Sequence, residues 1–279
     1  MSTRERRDGG PRDDQRPPAP EPLDVPALDS HCHLDLIDVP VEQTLADATA
    51  ARIERILTIG VDVASSQWCA ETAASHDGVQ AGVAIHPNEA PQHAGPDALA
   101  EIERLAGLPQ VRAVGETGLD YFRTGPPGRP AQQASFRAHI DIAKRTGKAV
   151  MIHDREAHAD VLRILEEEGP PEHVVFHCFS GDEAMARTCA ERGYVMSFAG
   201  NVTFKNAADL RAAAVIAPLD LLLVETDAPF LTPMPYRGKP NAPNLIPLTV
   251  RFLAELKGVA TDDLCQALMT TADRVFGGR

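Results

Sequence analysis

Two histidines separated by a single residue, His31 and His33, follow a short apolar run near the start of the chain. In a β-strand, residues i and i+2 project from the same face, so these two imidazoles can bind one divalent cation together. Such a pair also occurs in core strands, where hydrogen bonds satisfy both rings without any metal. A metal site is therefore predicted only if later strands supply further ligands beside this pair.

Imidazoles and carboxylates recur at the ends of later apolar runs in the sequence. Four imidazoles and two carboxylates form the candidate ligand set: His31, His33, His153, His177, Glu116 and Asp227. Each has an ordinary alternative, such as a hydrogen-bonded core histidine or a carboxylate in a turn. Gathered in one place, they are costly to remove from water unless cations neutralise them, and they exceed one tetrahedral site. We therefore predict two divalent cations (Mg²⁺, Mn²⁺ or Zn²⁺) bridged by a carboxylate.

The elements that must position these ligands alternate between short apolar runs and amphipathic segments. Strands are predicted at 27–33, 55–60, 80–86, 111–118, 149–153, 174–179, 194–199 and 221–227. Helical patterns include 41–51, 66–76, 97–106, 131–146, 157–168, 183–192, 247–256 and 261–276. This alternation predicts an α/β fold, a (β/α)8 TIM barrel, in which the carboxyl ends of all strands meet at one face. A doubly wound open sheet is disfavoured because no glycine-rich loop follows the first strand.

Composition limits the domain organisation and the class of protein. The chain has 279 residues, of which 43% are hydrophobic, and a formal net charge of −13. Residues 1–26 contain few apolar side chains and are predicted to form a disordered tail before a single domain at 27–279. Scattered cysteines, together with the lack of a secretion signal or an apolar span, predict a cytoplasmic protein without membrane association. The acidic charge disfavours a broad nucleic-acid-binding surface, but it allows a small metal-dependent phosphodiesterase site.

Other side chains near the predicted strand ends are candidates for contact with a substrate. His86 ends the third strand and is either a substrate contact or a hydrogen-bond donor behind the ligands. Basic residues follow other strand ends and could bind phosphate oxygens, although each could equally be a solvated loop charge: Arg123, Arg155, Lys205, Arg237 and Lys239. Aromatic residues in the same loops could stack on bases or simply pack: Tyr121, Phe122, Phe204 and Tyr236. Glu116 and Asp227 are the candidate catalytic residues, and Asp227 could orient or deprotonate the attacking water.

The motifs that contain these residues closely resemble those of TatD-type metal-dependent deoxyribonucleases. In chain order they are Asp29-Ser-His-Cys-His-Leu-Asp35, Ile85-His-Pro87, Gly115-Glu-Thr-Gly-Leu-Asp-Tyr121, Ile152-His153, Phe176-His-Cys-Phe-Ser-Gly181 and Glu225-Thr-Asp-Ala-Pro229. The resemblance implies an amidohydrolase-like TIM barrel with one metal on His31, His33 and Asp227. It places the second metal on His153 and His177, with Glu116 as the bridge. It also implies hydrolysis of phosphodiester bonds in DNA.

We therefore expect a deoxyribonuclease, acting as a 3′-5′ exonuclease on single-stranded DNA through a water activated by two metals. One departure from the family pattern is Ala242, which stands where the family commonly has glutamate in Asn-Glu-Pro. A metal-dependent deacylase acting on an ester or amide, such as mischarged aminoacyl-tRNA, is the alternative enzyme. A carbamylated lysine at the end of the fourth strand would favour hydrolysis of amides. The residue at that position is Glu116, so we prefer a phosphoester as the substrate. A non-catalytic barrel that scaffolds a complex would not need all six ligands.

Overall fold

A computed structural model describes residues 15–278 of the chain. Eight parallel strands form one sheet in sequential order, from β1 to β8. They are β1 Ala27–Cys32, β2 Ile53–Ile59, β3 Val79–Val83, β4 Val111–Asp120, β5 Ala149–Arg155, β6 Val174–Phe176, β7 Val195–Phe198 and β8 Leu222–Val224. The α-helices of the described residues are α1 Val41–Ala50, α2 Val63–Ser75, α3 Ala90–His93, α4 Pro96–Ala106, α5 Arg129–Thr146, α6 His158–Glu168, α7 Glu183–Glu191, α8 Ala208–Ile216, α9 Ile246–Lys257 and α10 Thr261–Phe276. The predicted (β/α)8 TIM barrel is confirmed.

The strands consist largely of consecutive aliphatic residues, which are buried on both faces of the sheet. In β2, Ile56, Leu57 and Ile59 are successive or nearly successive residues and are each at most 2% exposed. Such continuous apolar runs are typical of parallel strands that lie between a barrel interior and a surrounding layer of helices. The outer helices turn one apolar face inward, as Ile102 and Leu105 of α4 do. None of the described helices combines the length and apolarity that a membrane crossing requires.

The barrel closes between β1 and the end of β8 through a few specific contacts. Cys32 and Ala228 form a single parallel bridge outside the regular ladders. Inside the barrel, the Asp29 carboxylate accepts a hydrogen bond from the Thr226 N–H at 2.9 Å and another from the Thr226 hydroxyl at 2.5 Å. Burial raises the pKa of Asp29 to about 7, although these hydrogen bonds act in the opposite direction. The two ends of the sheet are thus joined beside the candidate ligands.

Two strands depart from regular pairing where they carry candidate ligands. The register of β1 against β2 shifts around His31, and the register of β4 against β5 shifts around Glu116. Such irregularities re-aim the side chains that they contain. Just beyond Glu116, Gly118 has φ of 133°, and a Cβ atom at this residue would lie 2.2 Å from the carbonyl oxygen of His153. Glycine is therefore required for β4 and β5 to approach each other at the ligand level.

Residues 15–26 belong to the segment that was expected to be a disordered tail, but they lie against the barrel. Leu23 is 3% exposed, and its N–H donates to the carbonyl oxygen of Ala51 at 3.4 Å. Arg251 donates to the carbonyl oxygen of Pro22 at 2.9 Å. A proline-rich chain remains extended without internal hydrogen bonds, so one buried leucine and these contacts order it on the barrel surface. The rest of the expected tail, 1–14, lies outside the described residues.

Candidate metal centre

The first half of the candidate centre combines the ends of β1, β4 and β8. The Nε2 atom of His31 lies 3.5 Å from Oε2 of Glu116 and 3.9 Å from Oδ1 of Asp227. The Nε2 atom of His33 lies 3.8 Å and 3.6 Å from the same two oxygens. The two imidazoles of the His-x-His pair therefore face one carboxylate from the middle of the barrel and another from its last loop.

The second half lies on the other side of Glu116. Its Oε1 atom lies 2.8 Å from Nε2 of His177 and 2.5 Å from Nδ1 of His153. Nε2 of His86 lies 3.4 Å from the same oxygen. The two carboxylate oxygens of Glu116 thus face two different sets of imidazoles. This is the arrangement expected of a carboxylate shared between two cation sites.

Tight turns at the ends of β6 and β8 direct two of these ligands into the barrel mouth. Asp227 has φ of 52°, and its N–H donates to the carbonyl oxygen of His31 at 2.9 Å. Cys178, which directly follows His177, has φ of 41°. Non-glycine residues seldom adopt this left-handed conformation, although aspartate tolerates it better than most. The chain accepts these two conformations at the positions where it turns out of the barrel beside the site.

A hydrogen-bond partner behind the ring determines which nitrogen of each histidine is free. Nδ1 of His33 lies 2.9 Å from the carbonyl oxygen of Ile59, which can only accept, so this nitrogen carries the proton. Nδ1 of His31 lies 3.1 Å from the sulfur of Met151. The Nε2 atoms of both rings are then the nitrogens directed toward the carboxylates, where they would coordinate a cation once free of a proton.

His86 has the opposite arrangement. Its Nδ1 accepts a hydrogen bond from the N–H of Asn88 at 3.0 Å, so a neutral ring carries its proton on Nε2. Burial lowers the pKa of His86, although the charge of Glu116 acts in the opposite direction, and the ring is therefore favoured in its neutral form. The Nε2–H group points toward Glu116 and is a hydrogen-bond donor rather than a ligand.

Asp120, at the end of β4, holds His153 from the side opposite Glu116. Its Oδ2 atom lies 3.3 Å from Nε2 of His153 and accepts from the Asn88 amide at 3.0 Å. Its Oδ1 atom accepts from the N–H of Arg123 at 2.8 Å. Burial alone would raise the pKa of Asp120, but these hydrogen bonds hold it below its ordinary value. His153 is thus fixed between two carboxylates.

The electrostatics of the cluster show that its carboxylates require positive partners. Burial opposes ionisation of Glu116, yet the charge of His177 and the hydrogen bonds from His153 and His177 hold its pKa well below its usual range. Burial likewise opposes protonation of His33, but the nearby carboxylates of Asp227 and Glu116 raise its pKa to about 9. The pKa of His177 is also raised by Glu116, against the effect of burial. Protons on these rings occupy positions that cations would take, so cation binding would release protons.

The residues present fit divalent cations. The buried Nε2 atom of His31 has no hydrogen-bond partner within residues 15–278, which is unfavourable unless a ligand uses its lone pair. Donor atoms within 4.8 Å of one another form three groups: His31 with His33 and Asp227, His31 with His177 and Glu225, and His86 with Glu116 and His153. Mixed imidazole and carboxylate donors suit Zn²⁺, Mn²⁺ and, where oxygen predominates, Mg²⁺. His86 belongs to the third group by distance, but its proton excludes it as a ligand.

The predicted basic residues differ in their relation to this cluster. The guanidinium of Arg155 lies 4.0 Å from the centre of the Phe122 ring, and that of Arg237 lies 4.2 Å from the centre of Phe204. These cation–π contacts fix one positive group at the end of β5 and another on the loop after β8. Two further predicted residues, Arg123 and Lys205, are exposed, and within 15–278 their side chains do not contact the cluster.

Sequence reasoning missed the contribution of Glu225. This residue is 0% exposed, and its Oε1 atom lies 3.1 Å from Nδ1 of His177. A signal was present in the sequence, because Glu225 precedes Asp227 by two residues and alternation at a strand end places both on one side. The other partners behind the rings, Met151 of β5 and the Ile59 carbonyl of β2, come from other strands and leave no comparable local pattern.

The fold and this centre define a class, the (β/α)8-barrel hydrolases that depend on metals bound at the carboxyl ends of the strands. Residues 28–277 match the family described as TatD related DNase. The chain belongs to the TatD family of metal-dependent hydrolases, which confirms the resemblance found in its motifs.

Relatives of this chain share nearly its whole length. The uncharacterized metal-dependent hydrolase TatD of Mycobacterium tuberculosis is 43% identical over 266 residues, which cover 90% of this chain and 97% of that protein. The uncharacterized metal-dependent hydrolase YcfH of Escherichia coli K12 is 39% identical over 255 residues, covering 89% and 95%. The crystal structure of YjjV, a TatD homologue from Escherichia coli K12, has a TM-score of 0.84 at 27% identity and covers 91% of this chain and 98% of its own.

Proposed function

We propose that this protein is a deoxyribonuclease that uses two divalent cations to hydrolyse phosphodiester bonds, acting from the 3′ end of single-stranded DNA. The observation that carries the proposal is the position of Glu116. One of its oxygens faces His31 and His33, and the other faces His153 and His177. A carboxylate in this position can hold two cations about 3.5–4 Å apart, the separation used for in-line displacement at phosphorus.

The charge of the site agrees with two cations rather than one. Four carboxylates surround the cluster: Glu116, Asp120, Glu225 and Asp227. Their formal charge of −4 equals, with opposite sign, that of two divalent cations at +2 each. Buried charge without compensation is strongly unfavourable, so a site built from these groups is suited to a doubly occupied state. Cations bound here would lower the pKa of a water and neutralise phosphate oxygens.

The residues of the chain supply the remaining requirements of phosphodiester hydrolysis. The Asp227 carboxylate, beside the His31 and His33 rings, is placed to orient a water and accept its proton. His86 presents an N–H group that can donate to a phosphate oxygen. Arg155 and Arg237 are suited to flanking phosphates, and Arg123 and Lys205 on the exposed loops to phosphates further along the strand.

A single-stranded substrate suits the loops around this mouth. Phe122 is 42% exposed although it lies beside Arg155, and exposed aromatic rings can stack on unpaired bases of any sequence. The net charge of −13 opposes long contacts along a duplex. The five cysteines are unpaired, which agrees with a reducing compartment such as the cytoplasm.

The decisive experiment compares cleavage of two substrates with and without metal. Purified protein given Mg²⁺ or Mn²⁺ should shorten single-stranded DNA, whereas EDTA should stop the reaction. Glu116→Ala should lower the rate by at least about 1,000-fold because both cation sites lose a shared ligand. Glu255→Ala, on the exposed surface of α9, is the matched control and should retain full activity.

Two outcomes would contradict the proposal. Equal degradation of DNA in EDTA and in metal would show that the centre does not perform the reaction. Cleavage of a mischarged aminoacyl-tRNA in a parallel assay, with DNA left intact, would instead support the deacylase. Circular dichroism of Glu116→Ala establishes that lost activity does not reflect a lost fold.

A further inference from the structure

We propose that Glu225 is a positioning residue that holds His177 from behind and supplies negative charge beneath both cation sites. The inference rests on the proposed two-cation centre but not on the identity of the substrate. Glu225 immediately follows β8, and its own N–H donates to the carbonyl oxygen of Phe198 in β7 at 3.2 Å. This hydrogen bond fixes the backbone of Glu225 to the barrel, and its side chain extends from there to His177.

The hydrogen bonds of Glu225 determine the state of the His177 ring. Oε1 of Glu225 accepts from the backbone N–H of Cys178 at 2.9 Å and lies 3.1 Å from Nδ1 of His177. Because a backbone N–H can only donate, this oxygen serves as an acceptor, and Nδ1 of His177 donates its proton to it as well. The other ring nitrogen, Nε2, lies 2.8 Å from Glu116 and would give up its proton when a cation binds between them. A single carboxylate oxygen thus selects the tautomer that a cation ligand needs.

The same oxygen also holds the backbone that follows the ligand. Cys178 has φ of 41°, a left-handed conformation that is unfavourable for a non-glycine residue. The hydrogen bond from its N–H to Glu225 is one of the contacts that compensate for this conformation. Loss of Glu225 would therefore release both the ring and the main chain of His177.

The second carboxylate oxygen gives the strongest indication that a cation is involved. Oε2 of Glu225 is buried and has no hydrogen-bond partner among the described residues. Donor atoms of Glu225, His31 and His177 lie within 4.8 Å of one another, so this charge is close to ligands of both cation sites. A residue needed only for packing would be better as leucine, and one needed only for its hydrogen bonds would be adequate as glutamine. A buried carboxylate with one unpaired oxygen is favourable only beside positive charge.

Two substitutions separate the hydrogen bonds from the charge. Glu225→Gln keeps an oxygen that can accept from His177 and Cys178 but removes the charge, and Glu225→Ala removes both. The control is Ser197→Ala, which loses a buried hydrogen bond of 2.8 Å to Ser30 inside the same barrel. Mn²⁺ is titrated into metal-free protein and followed by electron paramagnetic resonance, with metal per chain measured independently. Thermal unfolding is recorded in EDTA and in Mn²⁺.

We expect wild-type protein to bind two Mn²⁺ ions and Glu225→Ala to lose about 10–100-fold in affinity at one site. The Mn²⁺ affinity of Glu225→Gln at that site should lie between those of the wild type and Glu225→Ala. This variant keeps the acceptor that fixes the tautomer of His177 but lacks the negative charge. In EDTA, Glu225→Gln should unfold at the wild-type temperature or above it, because an unpaired buried charge has been removed. Ser197→Ala should unfold at a lower temperature than the wild type but should bind Mn²⁺ at both sites with wild-type affinity.

Wild-type affinity at both sites in Glu225→Ala would overturn the inference. So would a Glu225→Gln variant that is destabilised in EDTA but binds both ions normally, because this is the behaviour of a purely structural residue. A wild-type protein that binds one ion contradicts the two-cation centre and this inference together. One that binds two ions without cleaving DNA contradicts only the proposed substrate.

Discussion

At the scale of single residues, the group behind an imidazole decides what the ring can do. The ring of His33 has a carbonyl oxygen behind it, so the proton is held there and Nε2 is available to a cation. The ring of His86 has a backbone N–H behind it, so the proton is displaced to the face that looks into the site. Two identical side chains thus become a candidate ligand and a hydrogen-bond donor through the peptide group that each one meets.

This difference predicts distinct results for two alanine variants. His86→Ala should still bind two cations per chain but should lose about 100-fold in kcat, as expected when one donor to a developing charge is removed. His33→Ala should lose a cation as well as activity. Metal content after gel filtration, measured beside steady-state kinetics on DNA, separates the two cases. Loss of a cation in His86→Ala would show that its Nε2 is a ligand after all.

At the scale of elements, the ligands occupy places where strands depart from regular geometry. The shifts in register around His31 and Glu116 lie in β1 and β4, and both residues face the same space. Beyond Glu116, β4 remains paired with β5 at Gly118, where the β5 backbone leaves no room for a side chain. The spacing between β4 and β5 is therefore an integral part of the metal centre.

Gly118→Ala tests the importance of this spacing. An added Cβ would lie 2.2 Å from the carbonyl oxygen of His153, and the residue would also be strained at φ of 133°. We expect a loss of about 1–3 kcal/mol in the free energy of unfolding, together with weaker cation binding through displacement of His153. Gly95→Ala is the matched control, because a Cβ atom added there would meet nothing within 4 Å. Denaturant unfolding and Mn²⁺ titration provide the measurements, and equal behaviour of the two variants would contradict the argument.

At the scale of the whole molecule, one buried histidine of the described residues, His139, does not belong to the centre. His139 of α5 is fully buried, and its Nε2 accepts from the N–H of Ile85 at 3.0 Å. Its Nδ1 donates to the carbonyl oxygen of Ser135 at 2.7 Å. Both nitrogens are thus satisfied only in the neutral ring. Burial lowers the pKa of His139 to about 4, although the bond to Ser135 acts in the opposite direction.

His139 should therefore lower the stability of the folded state in mild acid. Between pH 6.5 and 4 the unfolded chain binds a proton on His139 that the folded chain does not, so acid favours unfolding. From pH 7.5 to 4.5 this histidine should contribute a loss of about 2–3 kcal/mol. Denaturant unfolding in EDTA, compared between wild type and His139→Gln at both pH values, isolates the contribution. The wild type should lose more stability than the variant, and parallel losses would refute the assignment.

The sequence was sufficient to predict the parts of the molecule that follow local rules. The alternation of apolar and amphipathic runs predicted the barrel, and strand ends indicated the residues that meet at its mouth, from His31 to Asp227. Local rules did not predict the packing of Leu23 against the barrel, because a single apolar residue in a proline-rich segment has no periodicity. Nor did they predict the role of Glu225. That role depends on its contact with His177, which lies 48 residues earlier in the chain.

The closure of the barrel has a consequence for biosynthesis. Asp29 and Thr226, which join the two edges of the sheet, are separated by 197 residues. The His-x-His pair therefore leaves the ribosome long before Asp227, its carboxylate partner across the seam. Until the last strand emerges, the nascent barrel has an open edge and an incomplete first cation site. The proposed first cation site is consequently completed late, once the segment that carries Asp227 has been translated.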